Sequence, residues 1–112
     1  MTETKITVIS GDGIGPEIMD STLEILSRLE SNLAFDMALA GGPALQQGMD
    51  LIPEETLGKI ESNVATLKGP ITTPIGRGFT SVNVSLRQHF DLYANVRPAL
   101  SIPGATTRYS DI

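Results

Sequence analysis

The order of segments along the chain predicts an α/β fold, a parallel sheet built from strand–helix–strand units. Three observations carry that expectation. β-branched and apolar runs alternate with stretches of helical periodicity. Gly- and Pro-rich turns separate them. The 112 residues, 40% of them hydrophobic, suit one domain with a modest core.

The run KITVIS over 5–10, with glycine behind it, reads as a strand. GDGIGP over 11–16 is a turn feeding a helix. Pro16 suits its first position, where a missing N–H costs nothing, and Glu17 and Asp20 place acid in the first turn. Ile18, Thr22, Ile25, Leu26, Leu29 and Leu33 recur at helical spacing, which predicts a helix over about 16–31. LAFDMALA over 33–40 reads as a second strand, and GGPALQQG over 41–48 as a loop or short helical turn. Pro53, Glu54 and Glu55 open a second helix, with Leu57 and Ile60 inward and a Glu55–Lys59 pair outward. NVATLKG over 63–69 is a third strand. Strand, helix, strand, helix, strand implies right-handed crossovers in a parallel sheet. Beyond the loop at 70–80, Ser81 is placed to cap a helix reaching about Phe90, with Val82, Leu86 and Phe90 as its apolar stripe. In 92–98 Leu92, Ala94 and Val96 alternate with Tyr93, Asn95 and Arg97, as a strand would.

Composition excludes several classes of function. There is no cysteine, so disulfides, zinc fingers and cysteine nucleophiles fall away. No apolar run is long enough to span a membrane, and the first ten residues lack the pattern of a secretory signal. A cytoplasmic setting is expected, or the mitochondrial matrix in a eukaryote. A net charge of −5 argues against general nucleic-acid binding. The charge is unevenly spread. Residues 1–62 hold three Lys/Arg and eleven Asp/Glu, whereas residues 63–112 hold five and two. A localised anion site in the second half and an ordinary solvated surface both fit that asymmetry.

GDGIGP after a strand invites comparison with a dinucleotide-binding fingerprint, but the third glycine of that pattern is replaced by Pro16. Asp36 falls early in its strand instead of at its end, where a ribose-binding acid belongs. A tight turn before a helix explains the glycines, and Asp12 would oppose a phosphate there. His89 is the only histidine, which leaves no basis for a metal cluster or a Ser-His-Asp triad and marks it as a helix-surface or half-buried residue.

The second half is more informative. Asn83 and Arg87 lie four apart on the flank of one helix, and Arg97 lies on the polar face of the segment that follows. A short link lets both guanidinium forks reach one edge, where Ser81, Asn83 and the helix N-terminus add donors. Such a set suits a polycarboxylate or a phosphate. The alternative is that each arginine is solvated or paired elsewhere; Asp91 is the one acid between residues 62 and 110.

ITVISGDGIGPEI, LKGPITTPIGRGFTSVNVSLRQHFDLYANVRP and TRYSDI resemble the N-terminal part of the β-decarboxylating dehydrogenases. Among these the isocitrate dehydrogenases are most similar, and NVRPALSIPG is most like their NAD-dependent branch. The resemblance covers essentially the whole chain. It implies a fold distinct from the Rossmann fold, with residues 1–112 as the N-terminal part of the large domain. It implies that Ser81, Asn83, Arg87 and Arg97 hold the carboxylates of isocitrate, Ser81 taking the γ-carboxylate. Thr72, Thr73 and Asn83 would lie beside the nicotinamide of NAD or NADP. In some bacterial members the serine matching Ser81 is phosphorylated, which would repel a tricarboxylate. Arg77 replaces a glycine of the family loop. Mg²⁺ or Mn²⁺, its aspartate ligands and the acid/base Tyr and Lys would come from segments beyond those matched. This chain would then hold neither catalytic nor metal-binding residues and would be inactive alone. A homo-oligomeric parent is implied. Two other readings stand beside this one: a stand-alone or regulatory anion- or nucleotide-binding module, and a structural piece that assembles through open sheet edges.

Overall fold

The computed structural model describes residues 2–29, 32–74, 76, 78–106 and 108. Its elements run β1 (Thr4–Ile9), α1 (Gly15–Arg28), β2 (Leu33–Ala38), α2 (Gly42–Gln46), α3 (Glu54–Ser62), β3 (Ala65–Lys68) and α4 (Val82–His89). The three strands form one parallel sheet in the order β2-β1-β3. Thr4 to Ile9 pair with Leu33 to Ala38, and Ile6 to Ile9 with Ala65 to Lys68. The α/β parallel sheet expected from the segment order is therefore present.

The crossovers explain the burial of β1. One steps from β1 outward to β2, and the next returns across β1 to β3. Right-handed connections running in opposite directions put their helices on opposite faces. Thr7, Val8 and Ile9 are accordingly all buried, although successive side chains alternate between faces. Ile9, Ala38, Ala40 and Val82 form the core on one face, with Leu51, Ile52, Ile60, Ile71 and Leu86 packed against them. α4 docks through the stripe read from its spacing: Val82 is buried, and Leu86 and Phe90 are half-buried.

α1 differs from expectation in which face it buries. Gly15 and Met19 are its buried residues, whereas Ile18, Ile25 and Leu29 remain substantially exposed. Leu33 belongs to β2 instead. The apolar period was present, but helical spacing alone does not fix which flank meets the sheet.

The expected strand over 92–98 is absent: residues 92–100 belong to no helix or strand. Tyr93 is fully exposed at 101%, and Val96 is exposed at 83%. Alternation marks a segment able to pair, yet a strand exists only where a neighbour offers a ladder, and none pairs with it among the described residues.

A polar network fastens α3 to the sheet. The Lys59 ammonium lies 3.3 Å from Asp36 Oδ1 and 3.1 Å from Glu55 Oε1, and donates to the Met37 carbonyl at 2.8 Å. Asn63 Nδ2 donates to Thr7 Oγ1 at 2.9 Å and to Asp36 Oδ2 at 3.1 Å. Thr7 Oγ1 donates to the Lys59 carbonyl at 2.9 Å, so the buried hydroxyl is satisfied twice. Thr56 Oγ1 donates to the Leu39 carbonyl at 2.6 Å. Asp36 is thereby committed to the fold and not to a ribose.

The turn after β1 meets the loop after β3 at backbone contact. Gly11 has φ +79°, and a Cβ there would collide with the Pro70 carbonyl oxygen. A Cβ on Gly69 would collide with the Ser10 carbonyl oxygen. Gly11 answers both a positive φ and a lack of room.

Two outcomes are expected. Gly11→Ala should lower unfolding stability by roughly 2 kcal/mol or more, combining left-handed strain with backbone collision, as urea denaturation would measure. The hydrogen bond from Asn63, with further help from Lys59, holds the Asp36 carboxyl below its ordinary pKa despite some desolvation. A depressed pKa contributes stability above the unfolded value that is lost as pH falls through the folded one. Wild type should thus resist urea better than Asp36→Asn at pH 7, by a modest margin because the group is partly exposed, and the margin should close as pH falls through the depressed folded-state pKa.

Candidate functional site

β3 and α4 enclose a groove of about 590 Å³ lined in part by Asn63, Thr66, Lys68, Asn83, Leu86 and Arg87. Its position follows from packing. Val82 and Leu86 pin α4 against the sheet, and residues 83 and 87 then share the flank that looks onto β3. Asn83 and Arg87 are thus brought together as their spacing predicts. Glu61 lines the same groove, so its walls are not uniformly cationic.

Lys68 was missed at the level of sequence. It is the last residue of β3, where its side chain comes to face α4. Burial, reinforced by the nearby Arg87 guanidinium, pushes its pKa below the ordinary lysine value. Lys68 Nζ donates to the Gly69 carbonyl at 2.9 Å. Two cations held near enough to repel each other are stabilised by an anion between them. The available signal was a lysine at the C-terminal end of a parallel strand, the edge where open α/β sheets bind ligands.

Arg97 does not join this set. It lies in the exposed segment after Phe90 and does not line the groove. The expected meeting of Arg87 and Arg97 assumed a strand over 92–98, and without that ladder nothing holds Arg97 beside α4.

Ser81 occupies the N-cap position of α4 with an extended backbone, but its side chain makes no capping hydrogen bond. The capping comes from outside the helix: Thr73 Oγ1 accepts from the Val82 N–H at 3.3 Å. The Ser81 hydroxyl is left uncommitted to the helix end. Thr72 is fixed by its backbone, whose N–H donates to Asp12 Oδ1 at 2.9 Å. Thr72, Thr73 and Ser81 therefore flank one helix terminus. Arg77 and the final TRYSDI motif, apart from Arg108, lie outside the described residues. His89 is exposed and packs edge-on against Phe90, with centroids 4.7 Å apart.

A smaller pocket of about 250 Å³ opens beside β2, lined by Met37, Leu39, Pro43, Met49, Thr56 and Lys59 among others. Its walls are largely apolar, and the Lys59 ammonium is already engaged by Asp36 and Glu55. Among the described residues no three His, Asp or Glu side chains are grouped to hold a metal ion.

The sequence matches the family profile of isocitrate/isopropylmalate dehydrogenases over residues 5–111. The chain belongs to the isocitrate/isopropylmalate dehydrogenase family. It is similar to an NADP isocitrate dehydrogenase of Thermus thermophilus, 43% identical over 106 residues, covering 94% of this chain and 21% of that protein. It is 44% identical over 108 residues to a mitochondrial NAD isocitrate dehydrogenase regulatory subunit of Dictyostelium discoideum, covering 96% and 29%. The 3-isopropylmalate dehydrogenase of Solanum tuberosum chloroplasts is 40% identical over 108 residues, covering 96% and 30%. The crystal structure of isocitrate dehydrogenase from Methylococcus capsulatus matches with a TM-score of 0.87 and 45% identity, over 96% of this chain and 32% of that one. The chain thus spans about a fifth to a third of the proteins it matches.

Removing the Arg87 charge should raise the Lys68 pKa by relieving repulsion. It should not restore the ordinary 10.5, because burial, the larger cause, remains. Side-chain NMR titration of Arg87→Gln would read the change; an unmoved pKa would mean the two cations do not share the groove.

Proposed function

We propose that the protein carrying this chain oxidatively decarboxylates isocitrate to 2-oxoglutarate, and that this chain supplies the carboxylate-binding side of the site. The observation that carries the proposal is the groove along β3 that brings Lys68, Asn83 and Arg87 together. Relatives named as NAD and NADP isocitrate dehydrogenases support it. In this reading Arg87 and Lys68 neutralise and orient substrate carboxylates, and Asn83 donates to the same ligand. Ser81 offers its free hydroxyl to the γ-carboxylate, and Arg97 joins from its segment when substrate is bound. Thr72, Thr73 and Asn83 would flank a nicotinamide, whose role is to accept hydride from the substrate carbinol carbon. NAD is the acceptor favoured by the NVRPALSIPG segment, and the distinction from NADP rests on that resemblance.

The described residues do not fit the divalent ion of such a reaction, since they group no carboxylates around the groove. A homo-oligomer with isocitrate as its small-molecule partner, in the cytoplasm or the mitochondrial matrix, completes the reading. Several relatives are named mitochondrial, and no helix among the described residues is long and apolar enough to cross a membrane.

A second reading is favoured by the similarity to a relative named as regulatory: the groove binds the tricarboxylate without turnover. One experiment separates the two. With the full-length protein, isocitrate- and Mg²⁺-dependent NAD(P)H production is expected, together with calorimetric binding of isocitrate. Arg87→Ala should weaken that binding on the order of a hundredfold. Binding without turnover selects the regulatory reading, and no binding at all overturns both.

A further inference from the structure

The acidic turn after β1 plays no part in the groove, yet it is fastened to the segment that leads there. The Asp12 carboxylate Oδ1 accepts the Thr72 N–H at 2.9 Å, and the Asp12 N–H donates to the Pro70 carbonyl at 3.0 Å. The Asp12 carbonyl in turn accepts the Gly15 N–H at 2.8 Å, closing the turn in front of α1. Its second carboxylate oxygen lies against the start of α2, where a Cβ added to Gly41 or Gly42 would stand 3.6 or 3.4 Å from it. The side chain thus meets two other segments, the loop at Thr72 and the start of α2. A backbone N–H held by a carboxylate is among the stronger hydrogen bonds available to a loop.

What Thr72 leads to makes this contact functional. The next residue, Thr73, supplies the oxygen that accepts the Val82 N–H at the first turn of α4. Ser81 does not cap its own helix. The chain of contacts therefore runs from Asp12 to Thr72, through one peptide to Thr73, and on to the end of α4 that carries Ser81 and Asn83. We infer that Asp12 is a positioning residue: through Thr72 and Thr73 it sets the loop over 70–73 and the N-terminus of α4 against the groove, although it touches no ligand. The inference rests on the proposed site only for its kinetic consequence; the mechanical coupling stands on its own.

The test uses the full-length protein with Asp12→Ala, Asp12→Asn and Thr73→Val. Asp12→Ala is expected to speed amide exchange at Thr72 and Val82 while the β1–β2 ladder stays as protected as in wild type. Asp12→Asn keeps an oxygen acceptor in place and should restore most of that protection. The KM for isocitrate should rise on the order of tenfold in Asp12→Ala with kcat changed far less, and recover in Asp12→Asn. Thr73→Val should speed exchange at Val82 but not at Thr72, which keeps the inference testable if Asp12→Ala does not fold. Unchanged exchange at Val82 in Asp12→Ala, or in Thr73→Val, would overturn it. So would a lowered melting temperature with KM intact, which is the mark of a purely structural acid. A wild-type protein that does not turn over isocitrate would overturn the proposed function and leave amide exchange to decide the positioning role.

Discussion

The peptide planes of Ser10–Gly11 and Gly69–Pro70 lie in direct contact, with glycine on each side because no Cβ fits between them. They terminate two neighbouring parallel strands, so the contact sits at the C-terminal edge of the sheet. Everything downstream of β3 leaves from this point. The loop over 70–73 takes its direction here, and α4 takes its first-turn cap from that loop. A shift of one peptide at Gly11 would be carried to Asn83 and Arg87 without either strand having moved.

The groove itself is a consequence of burial working against charge. α4 must bury Val82 and Leu86, and doing so swings Arg87 towards Lys68. Lys68 is partly desolvated there, and the Arg87 charge adds repulsion to it. The cost falls on a fold whose other charged network is fully matched. Lys59, Asp36, Glu55 and Asn63 satisfy one another around α3. Asn63 belongs to both, donating to Thr7 and Asp36 while it lines the groove.

The chain spans a fifth to a third of its relatives, and the groove offers cations and amides without a grouped set of carboxylates. Charge neutralisation and orientation are what these residues can do.

Much of the fold was legible in linear order. β-branched runs marked all three strands to within two residues, and glycine, proline and acidic first turns marked the helices around them. These signals are local, since backbone dihedrals and hydrophobic period belong to a short window of chain. Asn83 and Arg87 were legible for the same reason: four residues apart on one helix is a local distance. The misses were all non-local. Helical period in α1 gave a stripe but not its flank. Alternation in 92–98 gave a strand without the neighbour that a ladder requires. The cap on α4 came from Thr73, eight residues before Ser81, and Lys68 met Arg87 only because a buried valine turned the helix that carries it. Amino-acid order settled which segments could be helix or strand and which groups could bind an anion. Which of those groups share one site was decided by tertiary packing, because the distances between them are set by what the apolar faces bury.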